Sequence, residues 1–169
     1  IDVSGSMAMF DQGRSTIKEA QKARVRLDRA RKQLLVAIES LPKAARFNII
    51  AYSNKVTAWQ KGLRPASKSA IKSAGKFVKE FLARGATYTD DALKRAFEDR
   101  EADTIVLLSD GAPTKPEFPS GFLIEQILKD IANLNAARKM RINTFGFEGV
   151  GRWPDKIPGQ PSGPLPLPT

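Results

Sequence analysis

Hydrophobic residues along the chain follow two alternating spacings, one typical of helices and the other of strands. The first helical pattern places apolar residues at steps of three and four from Leu27 to Leu41. It predicts a long helix that begins near Thr16 and ends before Pro42, since proline stops a helix. Three more helical patterns follow it, at about 65–85, from about 90, and at 124–134.

Short apolar runs between these helices predict the strands, at 47–52, 56–59, 104–108 and 142–147. The run at 104–108 is almost entirely apolar, which is typical of a strand covered on both faces. A short polar turn at 53–55 predicts a hairpin between the first two strands. Because strands alternate with helices, the sequence predicts an α/β fold with a Rossmann-like, mostly parallel open sheet, helices on both faces and one antiparallel edge strand.

The two ends of the chain differ from this pattern. Proline occupies six positions between 154 and 168, too densely for helix or ladder hydrogen bonds. We therefore predict a domain over residues 1–148 and a proline-rich linker or tail over 149–169, with a proline-rich docking peptide as the alternative for the tail. The start on Ile1, so close to a polar cluster, predicts a fragment whose first strand is truncated.

Charge and composition exclude few classes of binding partner. The formal net charge is +10 and the sequence pI is near 10.0, which permits an acidic protein, nucleic acid or another anionic polymer. The chain has no cysteine, so it has no disulfide framework. No apolar run approaches the roughly 20 residues that a membrane span needs. The sequence leaves the cellular compartment open.

Basic residues crowd the first predicted helix. They form either a solvated face or a patch that binds a partner or an anion. The patch would consist of Lys22, Arg24, Arg26, Arg29 and Arg31.

Polar residues collect where predicted strands end, at the edge where ligands bind in open α/β sheets. Asp2 follows the truncated first strand, Asp110 follows the strand at 104–108, and Thr87 lies in the loop before the third helix. With Ser4 and Ser6 they offer two carboxylates and three hydroxyls. Hard oxygen ligands of this kind suit Mg²⁺ or Mn²⁺, and less strictly Ca²⁺. Taken singly, the serines could instead be helix caps or turn formers.

The sequence offers little support for an enzymatic function. The chain has no histidine, which excludes Ser-His-Asp catalysis and histidine-bound zinc. A phosphatase of the haloacid dehalogenase type needs a second aspartate two residues after Asp2, and Ser4 stands there. Ser69 and Lys72 match a Ser-x-x-Lys pattern but lie within a predicted amphipathic helix. We predict that the chain is not an enzyme.

Three segments carry a resemblance to a known family. "DVSGSM" at 2–7, "GAT" at 85–87 and "LLSDG" at 107–111 resemble the metal-ion-dependent adhesion site of von Willebrand factor type A domains, in the family's order. The resemblance extends over about residues 1–148, although the family's last helix and strand are not evident. It implies that a metal is held, directly or through water, by Asp2, Ser4, Ser6, Thr87 and Asp110.

One further aspartate is placed near this site. Asp91 opens the third helix, where an acidic residue is favoured by the helix dipole. It is also a candidate for orienting a water bound to the metal.

The expected function is metal-dependent protein binding, for adhesion or assembly. A carboxylate oxygen from an acidic partner would displace a water from the metal, because it is the stronger ligand for a hard cation. The alternative is a basic-surface binder of nucleic acid or an anionic polymer that keeps the metal structurally, although no aromatic stacking residues interleave with the basic cluster. A third alternative is a scaffold module with a vestigial site.

Overall fold

A computed structural model describes residues 1–8, 26–118 and 120–147 of the chain. This part contains four α-helices, six short strands and one 3-10 turn at Gly5–Ala8. The helices are α1 (Arg26–Glu39), α2 (Lys68–Lys79), α3 (Thr89–Phe97) and α4 (Ser120–Asn135). The strands are β1 (Arg46–Phe47), β2 (Ile50–Tyr52), β3 (Val56–Ala58), β4 (Arg64–Pro65), β5 (Thr104–Ser109) and β6 (Arg141–Gly146).

Residues 1–3 join the main strands into one layer. Val3 N donates to Tyr52 O at 2.8 Å and Tyr52 N donates to Ile1 O at 3.0 Å, in a parallel bridge with β2. On the other side, Asp2 N donates to Leu108 O of β5 at 2.8 Å. Residues 1–3 therefore lie between β2 and β5.

Beyond residues 1–3, the strands form both parallel and antiparallel pairs. β5 and β6 are parallel, and β2 pairs antiparallel with β3, which is the predicted hairpin. The α/β class is confirmed, and the open parallel sheet is visible in part.

Helices cover both faces of this layer. Leu108 of β5 belongs to a core that includes Leu27 of α1 and Val78 of α2. Ile105, three positions earlier on β5, packs instead against a second core that includes Leu93 of α3 and Ile127 of α4. Because side chains alternate along a strand, these two β5 residues point to opposite faces. The helices thus pack in two pairs, one pair on each face.

The predicted strand at 47–52 is interrupted. Asn48 Oδ1 accepts hydrogen bonds from Ile49 N at 2.9 Å and Gln60 N at 3.1 Å, and its Nδ2 donates to Gln60 O at 2.9 Å. The Asn48 side chain thereby takes up the backbone N–H and C=O of Gln60, which would otherwise be free to pair with a strand. This contact separates β1 from β2. The interruption depends on a side-chain contact that apolar periodicity does not reveal.

The second helix also begins later than the pattern predicts. Pro65 lies in β4, where it pairs with Arg46 of β1. Helix α2 is capped by Ser67, whose Oγ accepts from Ala70 N at 3.2 Å. The cap satisfies a free backbone N–H, so the helix starts at Lys68 rather than at the proline.

Some predictions concern residues outside the described part. The beginning of the first helix, before Arg26, and the tail over 149–169 both lie there. Helix α1 ends at Glu39, before Pro42 as expected. Within the described ranges, no helix has the length and apolar character needed to cross a membrane.

Candidate functional site

Asp2 is completely buried at the carboxyl end of the central segment. Its Oδ1 accepts from Ser4 N at 2.8 Å, and its Oδ2 accepts from Ser109 Oγ at 2.6 Å. Both carboxylate oxygens therefore have a donor, and the orientation of the side chain is fixed. A charged group can remain buried only with such partners.

A line of hydroxyls connects this region to Asp110. Ser4 Oγ and Ser6 Oγ are 3.0 Å apart and share a hydrogen bond. Ser6 Oγ then donates to Asp110 Oδ1 at 2.7 Å. The structure thus brings together four of the five predicted metal ligands, Asp2, Ser4, Ser6 and Asp110, through direct hydrogen bonds.

Thr87, the fifth predicted ligand, is brought to the same edge by its loop. Gly5 N donates to Gly85 O at 2.9 Å, which ties the loop to the serine segment. Gly85 has φ +81°, and a Cβ there would lie 2.7 Å from Asn54 Oδ1, so only glycine fits without strain. Thr87 itself is buried, and its backbone N–H donates to Thr114 Oγ1 at 3.0 Å.

Arg26 is the unexpected member of the site. Its Nη1 donates to Asp110 Oδ2 at 2.6 Å and also lies 3.4 Å from the carbonyl oxygen of Ser6. The side chain is only 2% exposed. Arg26 therefore does not belong to an accessible basic patch, and it acts instead as the counter-ion of Asp110.

The other members of the predicted basic patch are placed differently. Lys22 and Arg24 lie outside the described residues. Arg29 is exposed, whereas Arg31 is partly buried and donates to the carbonyl oxygen of Phe81. The described residues of this cluster therefore do not form one continuous exposed surface.

Asp91 is held by a lysine. Lys115 Nζ donates to Asp91 Oδ1 at 2.9 Å and to Asp90 Oδ2 at 2.7 Å, and lies 4.9 Å from the centre of the Tyr88 ring. Desolvation lowers the pKa of Lys115, but the hydrogen bonds and charges of the two aspartates outweigh it and raise the pKa overall. The role of Asp91 in orienting a metal-bound water stays a prediction.

Two residues that the sequence did not single out help to build the site. Ser109 orients Asp2, and Thr114 holds the backbone of Thr87. Ser109 could have been found, because it directly precedes Asp110 at the end of a strand. Thr114 carries no such signal, since its position depends on how the loop after β5 returns over Thr87.

The chemistry of this donor set fits a hard divalent cation. Counting partners within the described residues, each carboxylate oxygen of Asp2 and Asp110 accepts one of the hydrogen bonds described above and has a second lone pair. Nowhere in the described residues do three or more acidic, histidine or cysteine side chains cluster as a metal site. A cation here would therefore depend on the hydroxyls and water as well as the two carboxylates.

Comparison with known proteins identifies the family. A family model described as von Willebrand factor type A domain matches residues 17–153. Among curated proteins, inter-alpha-trypsin inhibitor heavy chain H1 of Mesocricetus auratus is 27% identical over 79% of this chain and 14% of its own length. The human von Willebrand factor A domain-containing protein 3B is 28% identical over 59% of this chain and 8% of its own length. The chain thus spans a small part of these relatives.

A solved structure shows the same fold. The von Willebrand factor type A protein from Catenulispora acidiphila superposes with a TM-score of 0.64 and 19% identity, over 86% of this chain and 31% of that chain. The chain belongs to the von Willebrand factor type A domain family.

Proposed function

We propose that this domain is a protein-binding module that holds a Mg²⁺-type cation at the carboxyl edge of its sheet and captures an acidic residue of a partner. The observation that carries the proposal is the hydrogen-bonded series from Ser4 through Ser6 to Asp110, with Asp2 beside it. It gathers oxygen ligands from segments more than a hundred residues apart in sequence at one position. Family membership supports a role in protein interaction.

The residues that would hold the cation are Asp2, Ser4, Ser6, Thr87 and Asp110. When bound, the cation supplies a coordination position for a carboxylate oxygen of the partner; Mn²⁺ and Ca²⁺ are the other candidates. The hydroxyls contribute no negative charge. The two carboxylates therefore supply at most two negative charges to a divalent cation, which can still attract a carboxylate from the partner. The net charge of +10 would favour the approach of an acidic partner and make it sensitive to salt.

The positions of Arg26 and Arg31 count against the alternative of nucleic-acid binding. The alternative requires accessible guanidinium groups on the first helix. Arg26 is buried against Asp110, and Arg31 is engaged with Phe81, so these two side chains are not free to read phosphates. The proposal assigns the domain no catalytic role.

Two measurements test the function. Isothermal titration of the purified domain with MgCl₂ should show saturable binding, and an immobilised peptide rich in glutamate should bind in Mg²⁺ and be released by EDTA. The matched control is the same peptide with glutamine in place of glutamate. Absence of Mg²⁺ binding, or peptide binding that EDTA does not change, would contradict the proposal.

A further inference from the structure

Arg26 and Asp110 form a buried ion pair at the sheet edge. Arg26 Nη1 and Asp110 Oδ2 are 2.6 Å apart, and the two side chains are 2% and 0% exposed. Water screens such a pair very little. An arginine side chain is always protonated in proteins, so a full positive charge lies beside one of the two predicted metal-binding carboxylates.

The burial of the Arg26 guanidinium carries a desolvation penalty, which a closely placed anion offsets. Asp110 supplies such an anion, because its Oδ2 lies 2.6 Å from Arg26 Nη1.

Arg26 and a metal ion would serve the same carboxylate. Asp110 Oδ1 is occupied by Ser6 Oγ and Oδ2 by Arg26, so both oxygens are already oriented and one is already neutralised. A cation held by Asp110 would be repelled by the Arg26 guanidinium, which lies 2.6 Å from the same carboxylate. Metal affinity should then depend on how far Arg26 withdraws.

We infer that Arg26 is a built-in cation of this site, which neutralises Asp110 when no metal is bound and competes with a divalent metal for that carboxylate. The inference rests on the proposed metal-dependent function and adds its regulation. Arg26 acts through Asp110, so it is a positioning residue rather than a metal ligand. Arg26 thus sets a threshold metal concentration, below which Asp110 remains paired with Arg26 and binds no metal.

The test compares Arg26→Gln with Lys32→Gln by isothermal titration with MgCl₂. Both substitutions remove one positive charge from α1, but Lys32 is exposed, so its removal should leave the affinity near that of the wild type. Arg26→Gln should bind Mg²⁺ at least about tenfold more tightly, because a charge close to a divalent ion is removed. Arg26→Lys keeps a cation at the position and should remain near the wild-type affinity.

Thermal unfolding supplies a second readout. Arg26→Gln in EDTA should unfold at a lower temperature than the wild type, since Asp110 loses its counter-ion. Saturating Mg²⁺ should raise its unfolding temperature by more than it raises that of the wild type. A merely structural role would lower stability without increasing metal affinity.

The outcomes separate this inference from the proposed function. Equal Mg²⁺ affinities in wild type and Arg26→Gln would overturn the inference and leave the function standing. Binding by Arg26→Gln alone would support the inference and contradict metal-dependent function in the wild type. No binding by either protein would contradict both.

A measurement on the wild type avoids any dependence on variant folding. The side-chain NMR signal of the Arg26 Nε–H group, assigned by through-bond correlation, should change as MgCl₂ saturates the site. A signal that stays constant at saturation would overturn the competition between Arg26 and the metal.

Discussion

Ser109 Oγ donates a 2.6 Å hydrogen bond to Asp2 Oδ2 although the two residues are 107 positions apart in sequence. The bond lies beside a backbone pairing, because Asp2 N donates to Leu108 O at 2.8 Å. The neighbouring strand end thus orients the carboxylate and leaves its other oxygen to Ser4 N. Sheet pairing therefore holds Asp2 beside the end of β5.

Ser109→Ala should lower the free energy of unfolding by roughly 1–3 kcal/mol, because a buried carboxylate oxygen loses its donor. It should also weaken Mg²⁺ binding, since Asp2 is no longer held in one orientation. Urea unfolding and isothermal titration measure the two effects. The control is Ser40→Ala, which removes an exposed hydroxyl that donates to Ala37 O at 2.8 Å. Equal effects of the two substitutions would show that Ser109 does not support the site.

Asp2→Asn and Asp110→Asn should both weaken Mg²⁺ binding strongly, because carboxylates dominate the affinity for a hard cation. Their effects on stability should differ. Asp110→Asn breaks the buried ion pair with Arg26, which should cost roughly 3–5 kcal/mol of unfolding free energy. Titration with MgCl₂ and urea unfolding of both variants test this. Wild-type metal affinity in both folded variants would remove these residues from the site.

Gly85→Ala should destabilise the domain by roughly 1–3 kcal/mol, because φ is +81° and the new Cβ would meet Asn54 Oδ1 at 2.7 Å. The strain would also displace the loop that carries Thr87 and so weaken partner capture. The matched control is Gly111→Ala at the same sheet edge, where a Cβ has no atom within 4 Å. Urea unfolding should separate the two variants, and similar losses would contradict the role of the Gly85 conformation.

Tyr52→Phe should reduce the loss of stability at alkaline pH. Burial, followed by the nearby charge of Asp2, raises the pKa of Tyr52 above its ordinary value of 10.0. The folded state therefore binds the phenolic proton more tightly than the unfolded chain. This contribution is complete below about pH 10 and is lost as the pH rises towards the folded-state pKa. Urea unfolding at pH 8 and pH 10.5 should show a smaller decrease in the variant, and identical decreases would contradict the assignment.

The sequence by itself determined the kinds of elements and the edge on which the site lies. The apolar run before Asp110 predicted β5, because a continuous run is typical of a buried strand, and the spacing of three and four residues before Pro42 predicted α1. The ends of parallel strands share an edge, so Asp2 and Asp110 were expected together.

Only the tertiary structure decided which side chains meet at that edge. The sequence placed Arg26 in a basic cluster, but folding turns its side chain onto Asp110, 84 residues away. Asn48 likewise interrupts a predicted strand through its contacts with Gln60. Local periodicity indicates which face of a helix or strand is buried. A long-range polar contact depends instead on the register and approach of separate elements, and periodicity does not encode these.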